Sequence, residues 1–112
     1  MKSFAAVFLV LFVSLPALAD DADAARFRSL VEQATAAFGE GDFKRAAELA
    51  EQAYAIKRDP SLLYNLARAR EGQGDLAAAV AAYQRYLDAV PNASDAEIVK
   101  GRIKALLSLI HI

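Results

Sequence analysis

The chain has 112 residues, enough for one domain with a modest core, and 56% of them are apolar. Thirteen basic and 14 acidic side chains leave a net charge of −1 with no continuous basic stripe, a balance that argues against nucleic acid as a partner. Cysteine is absent, so disulfides play no part in stability.

Met1 and Lys2 open an uncharged run, Ser3 to Ala19, whose centre, Phe4 to Val13, holds only Phe, Ala, Val and Leu. It ends in Ser14-Leu15-Pro16-Ala17-Leu18-Ala19. A short positive start, an apolar stretch and small residues at the third and first places before a cut match a secretory signal peptide, with cleavage expected between Ala19 and Asp20. The alternative, an uncleaved signal anchor in a membrane protein, meets the objection that a run interrupted by Pro16 and closed by Ala-x-Ala is short for a span of about 20 residues. No cysteine follows the run, which excludes the lipid-modified type of bacterial signal. The expected location is the bacterial periplasm or the medium, with the membrane touched only through the transient leader. Removing residues 1–19 takes away one lysine and no acid, so the mature chain becomes slightly more acidic.

Residues 20–25 are acidic and then helix-forming, which suits the positive end of a helix dipole. Asp21 and Asp23 alone are a weak signal for a cation, and no metal is expected. From Phe27 to Phe38 the apolar residues Phe27, Leu30, Val31, Ala34, Ala37 and Phe38 recur at three- and four-residue spacing, which predicts an amphipathic helix. Gly39-Glu40-Gly41 ends it, and Asp42 is placed to cap the next. A second helix is predicted over Phe43 to Ile56, ended by Asp59-Pro60; a third over Ser61 to Glu71; a fourth from Leu76 to about Val90. A fifth follows a capping signal, Ser94-x-x-Glu97, and runs from Asp95 to about Leu109 with Ile98, Val99, Ile103, Leu106, Leu107 and Ile110 as its apolar stripe. No stretch alternates with period two in strong β-formers, so the fold class is all-α. Helices this short are marginal alone, and short loops make neighbours antiparallel, so stability has to come from packing between hairpins.

The turn Gly39-Glu40-Gly41-Asp42 returns as Gly72-Gln73-Gly74-Asp75, and the same shift pairs Leu30 with Leu63, Ala34 with Ala67, Ala36 with Ala69 and Ala46 with Ala79. A fixed period in the thirties marks a stacked helical repeat. Leu63-Tyr64-Asn65-Leu66-Ala67, Gly74-Asp75-Leu76, Ala79, Tyr83 and Val90-Pro91-Asn92 in the second copy, with Leu30, Ala34, Gly41-Asp42-Phe43, Ala46 and Ala53 in the first, resemble the tetratricopeptide repeat. The departures are Gln33, where that family has a large apolar residue, and Ala37 and Ala50, where it prefers aromatics. The resemblance implies a right-handed α-α superhelix of two helical hairpins, residues 27–59 and 60–93 within a 20–93 repeat region, and a C-terminal capping helix over 94–112. It also implies close helix approach at Ala34 and Ala46, and at Ala67 and Ala79. Pro-x-Leu-x-Tyr-Asn-Leu-Ala followed by Tyr-x-x-Tyr-Leu further resembles exported bacterial members, which use such repeats for protein interaction in the cell envelope.

In that family the first helix of each repeat lines a concave groove. Carried onto this chain, the groove positions are Arg28, Val31, Thr35, Tyr64, Asn65, Arg68 and Glu71. Tyr64 offers apolar area with a polar tip, Asn65 can hold a peptide backbone, and Arg68 can pair a carboxylate. Val31 and Thr35 stand where a carboxylate-clamp subclass has lysine and asparagine, so that clamp is not expected, and Lys100, Arg102 and Lys104 read as a solvated face.

Catalysis finds no support: the single histidine, His111, lies one residue from the end, and no nucleophile has a partner set. Gly39-x-Gly41 follows a helix and lacks a phosphate-loop lysine, so no nucleotide, cofactor or small-molecule substrate is expected. Glu48 and Glu51 read as helix-surface charges. The tail, Leu106 to Ile112, is apolar, and its last five residues, Ser108 to Ile112, read as foreign to a native chain that continues further; the competing reading is a partner-binding or membrane-touching tail. The sequence thus describes a non-catalytic scaffold or adaptor that binds a protein or peptide in its groove; the alternative is the N-terminal docking or sensor part of a larger envelope protein.

Overall fold

Short connections between alanine-rich helices leave each helix one ready way to bury its apolar stripe, which is against the helix before it. The computed structural model describes residues 10–111, with side chains described from Asp20 onward. Five helices follow one another: α1 Val10–Gly39, α2 Phe43–Ile56, α3 Pro60–Gln73, α4 Leu76–Ala89 and α5 Ala96–Ile110. Each packs chiefly on its neighbour in sequence, α1 on α2, α2 on α3, α3 on α4 and α4 on α5. The fold is an all-α helical repeat, and the described residues contain no strand.

Both glycine turns are built alike. Gly41 (φ 81°) and Gly74 (φ 84°) take the left-handed conformation that only glycine adopts without steric cost. At the first turn the Gly41 N–H donates to the Phe38 carbonyl at 3.0 Å and the Asp42 N–H to that of Ala37 at 2.9 Å. At the second, Gly74 donates to Glu71 at 2.9 Å and Asp75 to Arg70 at 3.0 Å. These paired bonds satisfy carbonyls that a helix end leaves open. Each aspartate then starts the next helix by accepting a backbone N–H: Asp42 Oδ1 from Arg45 at 3.3 Å, and Asp75 Oδ1 from Ala78 at 3.1 Å. α3 starts differently, with Asp59 as its cap and Pro60 in the first turn, where the missing proline N–H costs nothing.

The core is alanine and leucine with one large aromatic. Ala47, Ala53, Ala67 and Ala79 are wholly buried, and Leu63, Tyr83, Val99 and Leu106 are the largest fully buried side chains. Ala67 and Ala79 are both wholly buried, as a close approach of α3 and α4 requires, whereas in the first hairpin Ala46 is buried and Ala34 half-buried. Across the two repeats, Arg85 of α4 pairs Glu51 of α2 at 3.2 Å on the surface and lies over the Tyr54 ring, 5.3 Å from its centroid.

Two expectations are corrected at the ends of the stack. α1 starts upstream of residue 20, so Asp20, Asp21 and Asp23 stand within a helix and not at its N-terminus. Ala22, Ala24 and Ala25 favour helix, and no glycine interrupts the stretch. Of the expected leader, residues 1–9 lie outside the described residues, and only the helical backbone of residues 10–19 is described. At the other end the Ser94-x-x-Glu97 capping box does not form. Asp95 is the N-cap residue of α5 and makes no cap hydrogen bond, because its carboxylate accepts the Tyr86 hydroxyl at 2.9 Å while Glu97 pairs Lys100 at 3.0 Å. The α5 stripe also divides: Val99 and Leu106 are buried and Ile103 half-buried against the stack, but Ile98 is 75% exposed and Leu107, Leu109 and Ile110 remain exposed. Among the described residues no helix is long and apolar enough to cross a membrane.

Candidate functional site

The first helices of the two repeats, α1 and α3, face a shared cleft. Val31, Ala34, Thr35 and Phe38 line it from α1, Leu62, Asn65 and Arg68 from α3, and Ala46 and Ala50 of α2 form its floor. Its volume is about 200 Å³. That is below the roughly 300–1,000 Å³ of sites that enclose a small molecule, and it suits a side chain laid in from an open groove.

Polar groups in this cleft are few, and none is tied to a polar side chain across the helices. The Thr35 hydroxyl turns back to donate to the Val31 carbonyl at 2.9 Å, a local helix bond that uses its only proton and leaves its oxygen able to accept. Asn65 is exposed, and its amide bonds no described side chain. Arg68 is exposed with its guanidinium over the Phe38 ring, 5.7 Å from the centroid, and no carboxylate among the described residues lies in ion-pair contact with it. Phe38 in turn packs edge-on to Phe43, centroids 5.2 Å apart, so the surface under the arginine is held by a second ring.

The groove continues past Arg68 into a second cleft lined by Tyr64, Arg68, Glu71, Tyr83, Ile98, Val99 and Arg102. Here the polar groups are engaged. Glu71 Oε1 accepts the Tyr83 hydroxyl at 2.6 Å and Arg102 Nε at 3.0 Å, and a second Arg102 N–H donates to Oε2. The fork from Arg102, and then the Tyr83 hydroxyl, hold the Glu71 carboxyl below the usual carboxylate range against the opposing effect of burial. Burial, followed by the bond to Glu71, pushes the Tyr83 phenol upward, so it stays a donor. Tyr64 is half-buried and meets Tyr83 and Tyr86 edge-on, each with centroids 5.7 Å apart.

A family model for the tetratricopeptide repeat matches residues 31–94, more than half of the chain. The chain belongs to the tetratricopeptide repeat family. Comparison with curated proteins gives no match. Tetratricopeptide repeats generally mediate protein–protein interaction, bind proteins or peptides, and are typically non-catalytic.

The structure brings Val31, Thr35, Asn65 and Arg68 together in the first cleft and Tyr64, Arg68 and Glu71 in the second. Arg28 is exposed and outside both linings. Glu71 stands in the groove of these tetratricopeptide repeats, but its carboxylate is already bound by Tyr83 and Arg102. Arg102 stays exposed, as expected of it, but it also reaches from α5 to pair Glu71 of α3, a contact the reading as a solvated face did not include. Sequence reasoning left out the lining residues that come from outside the predicted groove positions, among them Phe38 of α1, Ala50 of α2, Tyr83 of α4 and Ile98 and Arg102 of α5. For Ala50 a signal existed in its departure from the aromatic the family prefers, because a methyl group there leaves the cleft floor low. For Ile98 and Arg102, four residues apart on one helix face, the clue was one apolar and one cationic residue outside the buried stripe.

Proposed function

We propose that the chain is a non-catalytic scaffold or adaptor that holds a protein or peptide segment in the groove between α1 and α3. One observation carries this reading: an apolar, alanine-floored cleft in which Asn65 and Arg68 make no side-chain hydrogen bond or ion pair among the described residues. Buried polar donors left without partners would be costly, whereas exposed ones beside an apolar trough are free to meet a ligand. Partner capture from a cell-envelope extract tests it, with the wild-type chain compared against Tyr64→Ala and Arg68→Glu at unchanged far-UV helicity. Recovery of the same partners at the same yield by both variants would overturn the groove assignment.

The work site we propose is the bacterial cell envelope, in the periplasm or beyond. Residues 1–19 support it through their charged start, apolar centre and Ala-x-Ala end. N-terminal sequencing of the protein from its native host should begin at Asp20; a start at Met1 would favour the signal-anchored form. A second reading, in which the chain is the N-terminal docking or sensor part of a larger envelope protein, draws on the exposed Ile98, Leu109 and Ile110 of α5. The full reading frame decides between them.

A further inference from the structure

We propose that the groove selects a partner segment in which an aspartate or glutamate side chain is flanked on both sides by apolar residues, with Arg68 reading the carboxylate. The inference rests on the groove reading above and adds the chemistry of its ligand. Arg68 is the side chain common to both clefts, so it stands mid-groove. On one side of it lie Val31, Phe38 and Leu62, and on the other Tyr64 and Ile98. A ligand that covers both sides therefore passes its charged group over the arginine in mid-segment, which assigns the carboxylate to a side chain and not to a chain end.

The sign of the charge follows from the lining. Its charged members are Arg68, Arg102 and Glu71, and Arg102 and Glu71 neutralise each other. The groove thus keeps one positive charge on a chain whose net charge is −1. A guanidinium presents a planar fork that matches a carboxylate with two parallel hydrogen bonds, and Asn65, three residues before it on the same helix face, adds an amide donor. The Phe38 ring beneath the guanidinium restricts its swing, so less side-chain entropy is lost when a carboxylate binds. Ile98, 75% exposed, gains a partner when an apolar residue of the segment covers it.

A random peptide library displayed on phage and panned against the full chain, and in parallel against Arg68→Glu and Arg68→Gln checked by circular dichroism, tests the inference. The wild-type chain should enrich acidic residues between apolar ones, Arg68→Gln should lose that enrichment, and Arg68→Glu should replace it with lysine or arginine. One enriched peptide, synthesised with blocked ends, should lose about tenfold in affinity when its acid is changed to the amide. Enrichment without acids, the same sequences on all three proteins, or equal binding of acid and amide peptides would overturn the proposal and leave the groove reading intact. Binding that requires a free C-terminus would overturn the side-chain assignment. No enrichment on any of the three would overturn the groove reading itself, and the proposal with it.

Discussion

The two repeats carry the same turn, with matching glycine angles, matching carbonyl bonds and an aspartate cap in each, yet they treat the space under that turn in opposite ways. In the second repeat Tyr83 fills the interior and ties its hydroxyl to Glu71. In the first, the equivalent position is Ala50, and the unfilled volume is the floor of the cleft. The glycines differ as well: a Cβ on Gly39 would meet nothing within 4 Å, whereas one on Gly72 would lie 2.6 Å from the Phe43 ring. The second repeat fills this position with a ring that also walls the second cleft, while the first leaves it to a methyl group at the floor of its own cleft. A shared backbone framework therefore does not imply a shared job.

The change that breaks the comparison most severely is Tyr83→Ala, which should give the second repeat an alanine like that of the first. Because Tyr83 is 2% exposed, the cost should be about 3–5 kcal/mol, read from the urea midpoint. A loss below about 1 kcal/mol would mean that the ring is not the pillar of the second repeat. Next comes the glycine pair. Gly72→Ala should destabilise by about 1–3 kcal/mol, because the methyl group has to displace the base of the Phe43 ring. Gly39→Ala, in open space at a helix end, should be neutral or stabilise by up to about 1 kcal/mol. Equal effects at the two sites would erase the asymmetry. By contrast Gly41→Ala and Gly74→Ala should cost about the same as each other, roughly 1–2 kcal/mol, since both require a left-handed alanine.

The smallest expected effect concerns the link between the second repeat and α5. Glu71 has its pKa lowered on folding, so its contribution is present above the unfolded carboxylate pKa and lost as pH falls through the folded one. Glu71→Gln should cost about 0.5–1 kcal/mol at neutral pH, a modest figure because Arg102 is 52% exposed to screening water. The difference in urea midpoint between wild type and Glu71→Gln should shrink between about pH 6 and pH 3. A difference that is constant across that range would remove the charge from the account of how α5 is held.

Much of this architecture was readable in the residues. The glycine turns, the capping aspartates and the amphipathic spacing specify hairpins through local geometry alone, and they place Val31, Thr35, Tyr64, Asn65 and Arg68 on one side of their helices. The fifth helix was misread in part for the same local reason. Ser94-x-x-Glu97 has the form of a capping box, but Tyr86 claims the neighbouring Asp95 and Lys100 claims Glu97.

By itself the sequence determined the period and the helix boundaries inside the stack, because these depend on backbone propensities and on contacts three or four residues apart, while the face turned to the groove followed from the family resemblance. Only the tertiary structure decided which groove residues are free. Glu71 is taken by Arg102 from 31 residues away and by Tyr83 from 12, whereas Arg68, on the preceding turn of the same helix, makes no ion-pair contact with a described carboxylate. A side chain's partner across helices follows from how the hairpins stack and how much volume each interior residue fills, and no local pattern encodes that.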